Sequence, residues 1–341
     1  MMIIGKAEMM ACVEPAMVRM AEPAKVAARC IQTLPRTVRK QEQSGVETMA
    51  GQPQDLQFES EATLLAARLY RPEGTGPVPV IVMAHGFSAV MEQLAPQAEA
   101  LRAAGFAVLS FDHPCFGLSA GEPRGEVDPP RQLRAWRDAV SFARTLDGVD
   151  RDRIGLWGSS FSGGHVIQAG ALDPRVRCVV SQVPFVAGWD LIASRNDADA
   201  FVALLVSERE RRFAGGEPTM LAVTSADPDI PCAFPGSTAR RFFDEVRLKS
   251  WTNAVTLSSF EHVRGYEPGL WAHRLAPRGL LVIVAEDDRV TPVPPVLEAF
   301  ARAGEPKRLV RVPGDHFEVY EGPGFDQAMA AAIGWYREHL A

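Results

Sequence analysis

The chain has 341 residues, 47% of them hydrophobic, with 36 Lys and Arg against 42 Asp and Glu. This is a globular composition, long enough for two domains or for one large α/β unit. The net charge of −6 argues against a broad nucleic-acid interface, which needs a concentrated basic face. No apolar run approaches the ~18 residues of a membrane span. Five scattered cysteines (Cys12, Cys30, Cys115, Cys178 and Cys232) form no CxxC pair. They point to reduced thiols in a cytoplasmic protein, with neither a disulfide frame nor a zinc site.

Residues 1–48 read as an N-terminal extension. Six of the eleven methionines fall in the first twenty positions, and Pro15, Pro23 and Pro35 interrupt every helical pattern. There is no apolar core for a signal peptide, and Glu8, Glu14 and Glu22 speak against a transit peptide. A partly helical segment packed on the body, a disordered one, and a start codon assigned too far upstream are the alternatives for it. A single domain over 49–341 is expected after it.

From Leu56 on, short apolar runs alternate with helical periods. Ala62–Tyr70 alternates like a strand and Val78–Ala84 is a continuous buried-strand run; Met91–Ala104 reads as a helix closed by Gly105. Phe106–Phe111 is the next strand. Asp128-Pro129 opens a helix with Leu133, Trp136, Val140 and Ala143 on one face. Strand Arg153–Trp157, helix Gly163–Ala171 and strand Val176–Val183 follow. After a long interval come strand Leu280–Glu286, helix Pro295–Arg302, strand Arg308–Val312 and helix Phe325–His339. Uniformly apolar strands alternating with helices predict an α/β fold, a mostly parallel sheet covered on both faces.

The catalytic signal begins where the strand Arg153–Trp157 meets its helix, at Gly158-Ser159-Ser160-Phe161-Ser162-Gly163-Gly164. A serine hydroxyl is a poor nucleophile unless a sharp turn holds it exposed beside a base, and such a turn needs small neighbours. Ser160 has Gly158 two residues before it and Ser162 two after; Ser159 would place Trp157 at the first small position. The strand Leu280–Glu286 then delivers Asp287 and Asp288 into a loop, and His316 follows the strand after it. This is the order nucleophile, acid, base, each at a strand end. Val82-Met83-Ala84-His85-Gly86-Phe87 ends an earlier strand with His-Gly. The amides of Phe87 and Phe161 are the candidate donors to an oxyanion, and His85 reads as a buried anchor of its loop. His113 is a candidate pocket residue.

These segments, with Phe111-Asp112-His113, Gly121-Glu122-Pro123-Arg124, Ser181-Gln182-Val183-Pro184, Tyr266-Glu267-Pro268-Gly269, Ala285–Pro292 and Gly314–Tyr320, resemble the α/β-hydrolase superfamily over about residues 56–341. The resemblance is closest to the branch of polyketide transferases, related esterases and X-Pro dipeptidyl-peptidase-like hydrolases. It implies that fold with a lid insertion, and it implies Asp288, four residues before Pro292, as the acid and His316 as the base. Two departures are Ser162 in place of glycine and the loop Asp112-His113-Pro114-Cys115-Phe116, where relatives often carry a more polar segment.

The α/β rhythm is interrupted between Val183 and Gly279, where a lid over about 185–275 is expected. Eleven of the twenty-seven aromatic residues lie between Phe185 and Trp271, so the insertion is the candidate wall of an apolar acyl pocket. Trp189, Phe234 and Trp251 are the candidate contacts there, beside His113. No phosphate loop, dinucleotide fingerprint or metal-ligand spacing is present, so neither cofactor nor metal is expected. The reading is a serine hydrolase acting on an ester or acyl thioester, free or carried on a carrier protein, through an acyl-enzyme. One alternative is an acyltransferase moving a polyketide-type acyl group from a thioester carrier to an alcohol. An alternative of another class is a non-catalytic ligand-binding homologue. Neither nucleic acid nor membrane is an expected partner, and the sequence leaves the oligomeric state open.

Overall fold

In a computed structural model of the protein the described residues are 52–74, 76–245 and 248–341; the expected extension over 1–48 and its boundary lie outside them. Strand β1 (Gln54–Ser60) and strand β2 (Thr63–Tyr70) form a hairpin joined by Glu61 and Ala62, which take φ of 47° and 60°. Two positive-φ residues make the tight turn whose twist matches that of the strands. Neither is Gly or Asn, so no turn signal marks the hairpin: β1 is a strand beyond those expected, and Ala62, expected in a strand, lies in the turn.

Next come strand β3 (Val78–Ala84), helix α1 (Ala95–Ala103), strand β4 (Ala107–Phe111), helix α2 (Pro129–Ala143), strand β5 (Val149–Ser159), helix α3 (Phe161–Leu172) and strand β6 (Val176–Gln182). The helix expected from Met91 divides: Met91–Leu94 is a 3-10 turn, and α1 restarts with Pro96 in its first turn, where a missing N–H costs nothing. Helix α2 starts as the sequence predicts, with the Asp128 carboxylate accepting from the Arg131 amide at 3.1 Å and Pro129 following.

After β6 the chain builds a cap: helix α4 (Gly188–Ala193), helix α5 (Ala198–Phe213), a two-stranded ribbon of β7 (Met220–Leu221) and β8 (Val255–Thr256), helix α6 (Ser237–Arg240) and helix α7 (Ser258–Arg264). It is tied to the loop before α2. Arg212 of α5 pairs with Glu126 at 3.0 Å, and the Val127 amide donates to Ser259 of α7 at 2.9 Å. Strand β9 (Gly279–Ala285), helix α8 (Val293–Arg302), strand β10 (Lys307–Val312) and helix α9 (Gly322–His339) complete the chain.

The main sheet has the order β1-β2-β4-β3-β5-β6-β9-β10. From β4 to β10 every neighbour is parallel; β2 runs antiparallel to β4 and to β1. Alternate residues of the parallel strands feed two cores. Val80, Val82, Leu109, Leu156 and Val179 join Leu133, Trp136, Val140, Val166 and Val296 of α2, α3 and α8. Ile81, Met83, Val108, Trp157 and Val180 join Ala98, Leu101, Met329, Trp335 and Tyr336 of α1 and α9. Each helix face thus has a sheet face to cover, which is why these strands are apolar along their whole length. All the parallel strands end on one edge, where crevices form in such sheets.

Candidate active site

Strand β5 ends in Ser159, and Ser160 takes φ 57° and ψ −119° before α3 begins. This region is sparsely populated for a side-chain-bearing residue, so the turn stores strain that the surroundings must hold. The Ser160 amide donates to Gln182 O and its carbonyl accepts from Gly163 and Phe185, each at 2.9 Å. A Cβ at Gly158 would lie 2.1 Å from Ser162 O, so only glycine lets the chain double back here.

His316, in the loop after β10, brings Nε2 to 3.1 Å from Ser160 Oγ. Its Nδ1 lies 2.7 Å from Asp288 Oδ2, in the loop after β9. All three side chains are buried. Asp288 is itself held fast. Its Oδ1 accepts from the Val290 and Thr291 amides, each at 2.8 Å, and its Oδ2 lies 2.8 Å from the Thr291 hydroxyl. Asp287 is exposed. Thr291 was missed in the sequence; its signal was a hydroxyl three residues after an aspartate, the spacing at which Asp and Thr side chains close a local turn.

The neighbouring serines are engaged elsewhere. Ser159 Oγ is 2.6 Å from Tyr320 OH, and Ser162 Oγ donates to His85 O and lies 2.9 Å from His113 Nε2. Gly86 lies against the nucleophile, since a Cβ there would be 2.9 Å from Ser160 Cβ. Phe87 follows it, and Phe161 opens α3, where the first amides of a helix have no intrahelical acceptor. Phe87 and Phe161 both line the same cavity as Ser160.

A cavity of about 410 Å³ opens from Ser160. Phe161, Phe185, Ile192, Phe234, Phe260 and Phe317 are among its walls, and the exposed Arg195 and Arg289 also line it. Of the four expected substrate contacts only Phe234 is there. His113 lies one layer deeper, fully buried between the rings of His85 (4.7 Å) and His165 (5.4 Å). Trp189 faces outward, 55% exposed, under the Arg264 guanidinium. Trp251 donates its indole N–H to Ser88 O and stacks on Phe243, facing a different cavity beside Cys115. The wall comes instead from Phe185, α4, α7 and Phe317. The sequence marked their apolar character but not which way they face.

Behind the nucleophile lie three buried histidines. Burial lowers His85 to about 4 and His165 to about 3, and holds His113 well below the ordinary imidazole value, helped by its two histidine neighbours. All three are neutral near pH 7. Asp112, beside them, is pushed up to about 6 by burial, against the pull of the Met91 and Leu118 amides that donate to it. Among the described residues no group of three or more His, Cys, Asp or Glu is placed to hold a metal, and no helix is long and apolar enough to cross a membrane.

The sequence matches the α/β hydrolase family over residues 81–327. It is 32% identical to the quorum-quenching protein AidA of Acinetobacter baumannii, over 84% of this chain and 94% of that protein. It is 32% identical to the thiohydrolase aneE of Aspergillus aculeatus, over 81% and 90% of the two chains. It is 27% identical to the polyketide transferase af380 of Aspergillus fumigatus, over 84% and 98%.

Proposed function

The chain belongs to the α/β-hydrolase family, and from that premise we propose that it is a serine hydrolase that cleaves an apolar acyl ester or thioester through a covalent acyl-enzyme. The observation that carries this reading is the hydrogen-bonded chain Asp288–His316–Ser160 opening into an apolar cavity. Asp288 keeps the proton of His316 on Nδ1, which leaves Nε2 free to take the proton of Ser160 as Oγ attacks the carbonyl carbon. The charge that develops on the carbonyl oxygen is met by the Phe87 and Phe161 amides, where one strong donor contributes roughly 3–4 kcal/mol. His316 then returns the proton to the leaving oxygen or sulfur, and a water activated the same way releases the acid. The complete set of nucleophile, base and acid speaks against a non-catalytic homologue.

The same acyl-enzyme is resolved by an alcohol in an acyltransferase, and the polyketide transferase relative favours that second reading. Both are tested by incubation with p-nitrophenyl esters and acyl thioesters, with and without added alcohols, followed by mass analysis. Free acid in the presence of alcohol supports hydrolysis; ester product supports transfer. Absence of either product with every substrate would sink both.

The aromatic wall supports an apolar acyl group. Each buried methylene contributes up to ~0.8 kcal/mol, so kcat/KM is expected to rise about two- to four-fold per added methylene until the cavity is full. Phe234→Ala should move the chain-length optimum to longer acyl groups and leave acetyl ester turnover within about three-fold, because an acetyl group barely reaches the cap. An unchanged optimum would remove Phe234 from the pocket wall.

The proposed catalytic domain is 49–341. Every group invoked above lies at residue 85 or beyond, and the hairpin that closes the sheet edge starts at Gln54. A protein starting at Met49 is expected to melt within a few degrees of the full chain and to hydrolyse a short ester within about two-fold of it. Loss of both would assign residues 1–48 a structural part in the domain.

A further inference from the structure

Ser162 stands where the usual nucleophile turn has a small, unbonded residue, yet its hydroxyl is engaged on both sides. Ser162 Oγ lies 2.5 Å from His85 O, an obligate acceptor, so the hydroxyl proton points there. Its lone pair then accepts the proton of His113 Nε2, 2.9 Å away. The backbone amide of the same His113 donates to His85 Nε2 at 3.1 Å. That fixes the one N–H proton of the His85 ring on Nδ1, 2.9 Å from Gly86 O, which accepts it. Every proton direction in this ring of contacts follows from one partner that can only donate or only accept. Among the described residues His113 Nδ1 has no hydrogen-bond partner, and His113 joins this network through its amide and Nε2.

The consequence falls on the oxyanion loop. The peptide joining Gly86 to Phe87 is planar and trans, so its C=O and N–H point in opposite directions. Pinning Gly86 O to the His85 ring turns the Phe87 N–H away from that ring. Pinning His85 O to Ser162 fixes the preceding peptide relative to the turn that carries Ser160. Residues 85–87 are thereby held at two successive carbonyls: His85 O by Ser162 in the first turn of α3, and Gly86 O by the His85 ring, whose Nε2 accepts the His113 amide.

We infer that Ser162 and His113 are positioning residues that hold the Phe87 amide on the developing oxyanion. This rests on the acyl-enzyme reading above. It extends that reading to side chains that touch neither substrate nor the reacting atoms.

The test is Ser162→Ala, His113→Leu and the double variant in the full-length protein, assayed on the best p-nitrophenyl ester of the acyl panel. For Ser162→Ala, kcat is expected to fall about ten-fold, less than the 10²–10³-fold loss of a whole oxyanion donor, with KM within about two-fold. Affinity for the trifluoromethyl ketone of the same acyl chain, whose adduct carries the oxyanion, should fall by the same factor. The acid limb of kcat/KM should stay in place. Because the two side chains act through one contact, the double variant should lose little more than the worse single variant.

An unchanged kcat in Ser162→Ala, or a loss that the ketone affinity does not follow, would overturn the inference. So would losses that multiply in the double variant. Should His113→Leu not fold, the kcat and ketone measurements on Ser162→Ala decide alone. Ser160→Ala run alongside separates the two levels: full activity there would overturn the acyl-enzyme reading, whereas an inactive Ser160→Ala beside an unimpaired Ser162→Ala would overturn the positioning role only.

Discussion

Ser160→Ala is expected to lower kcat by about 10⁵–10⁶-fold and to abolish labelling by a fluorophosphonate, with the melting temperature little changed. Asp288→Asn is expected to cost about 10⁴-fold. The reason is specific to this loop. Asp288 Oδ1 accepts two backbone amides, from Val290 and Thr291. An asparagine there must place its only carbonyl oxygen against those amides, which turns its NH₂ toward His316 Nδ1. The imidazole then has to accept at Nδ1 and carry its proton on Nε2, so it cannot take the proton of Ser160. Asp287 is exposed and its amide is already bonded to Gly314 O. Asp287→Asn should therefore stay within about two-fold of the parent. Steady-state kinetics on a p-nitrophenyl ester measure all three. Comparable losses in Asp287→Asn and Asp288→Asn would overturn the role given to Asp288, and labelling that survives in Ser160→Ala would move the nucleophile elsewhere.

Parts of this architecture were written in the chain because one physical signal dominated them. Val78–Ala84 is a strand residue for residue because a buried parallel strand is apolar throughout. The order of strand ends, with the small residues around Ser160, points to Ser160, His316 and an acid at Asp287 or Asp288, and the resemblance alone selects Asp288; in the structure His316 lies within hydrogen-bond distance of both Ser160 and Asp288. Signals that depend on facing were weaker. In β1, Leu56 and Phe58 alternate with charged and polar residues on an edge strand, and the turn after it lacks glycine. In the cap, helices as short as α4 carry too few residues to declare an inward side, so Trp189 and Phe234 looked equivalent although one faces solvent and the other the cavity. The depth of His113 was hidden for a related reason. Loop position follows from the sequence, but distance below the surface follows from what packs over it, here Trp136, Phe111 and the two other histidines. A serine replacing glycine beside a buried nucleophile was the available clue, because its hydroxyl requires a partner nearby.

Those three histidines make the protein acid-sensitive in a defined window. In the unfolded chain each takes up a proton near pH 6.5. In the folded state His85 resists until about 4 and His165 until about 3, with His113 likewise far below its ordinary value. The unfolded state therefore binds more protons between pH 6.5 and 4. The stability that the neutral cluster contributes is complete above pH 6.5 and is lost as the pH falls. Asp112 works the other way. Raised to about 6 by burial, it takes up its proton in the folded state first and offsets about one of the three between pH 6 and 4. A net excess of about two protons corresponds to roughly 3 kcal/mol per pH unit, large against a total stability of 5–15 kcal/mol. Asp173 and Glu208, whose values are lowered, lose their contributions only as the pH falls below the ordinary carboxylate range, and leave most of the window to the histidines. Urea unfolding at pH 7, 6 and 5 should show the midpoint falling steeply below pH 6.5, and His165→Gln should flatten that dependence by about one proton. A stability that stays level from pH 7 to 5, or a slope that His165→Gln leaves untouched, would mean that the cluster is hydrated or already protonated when folded.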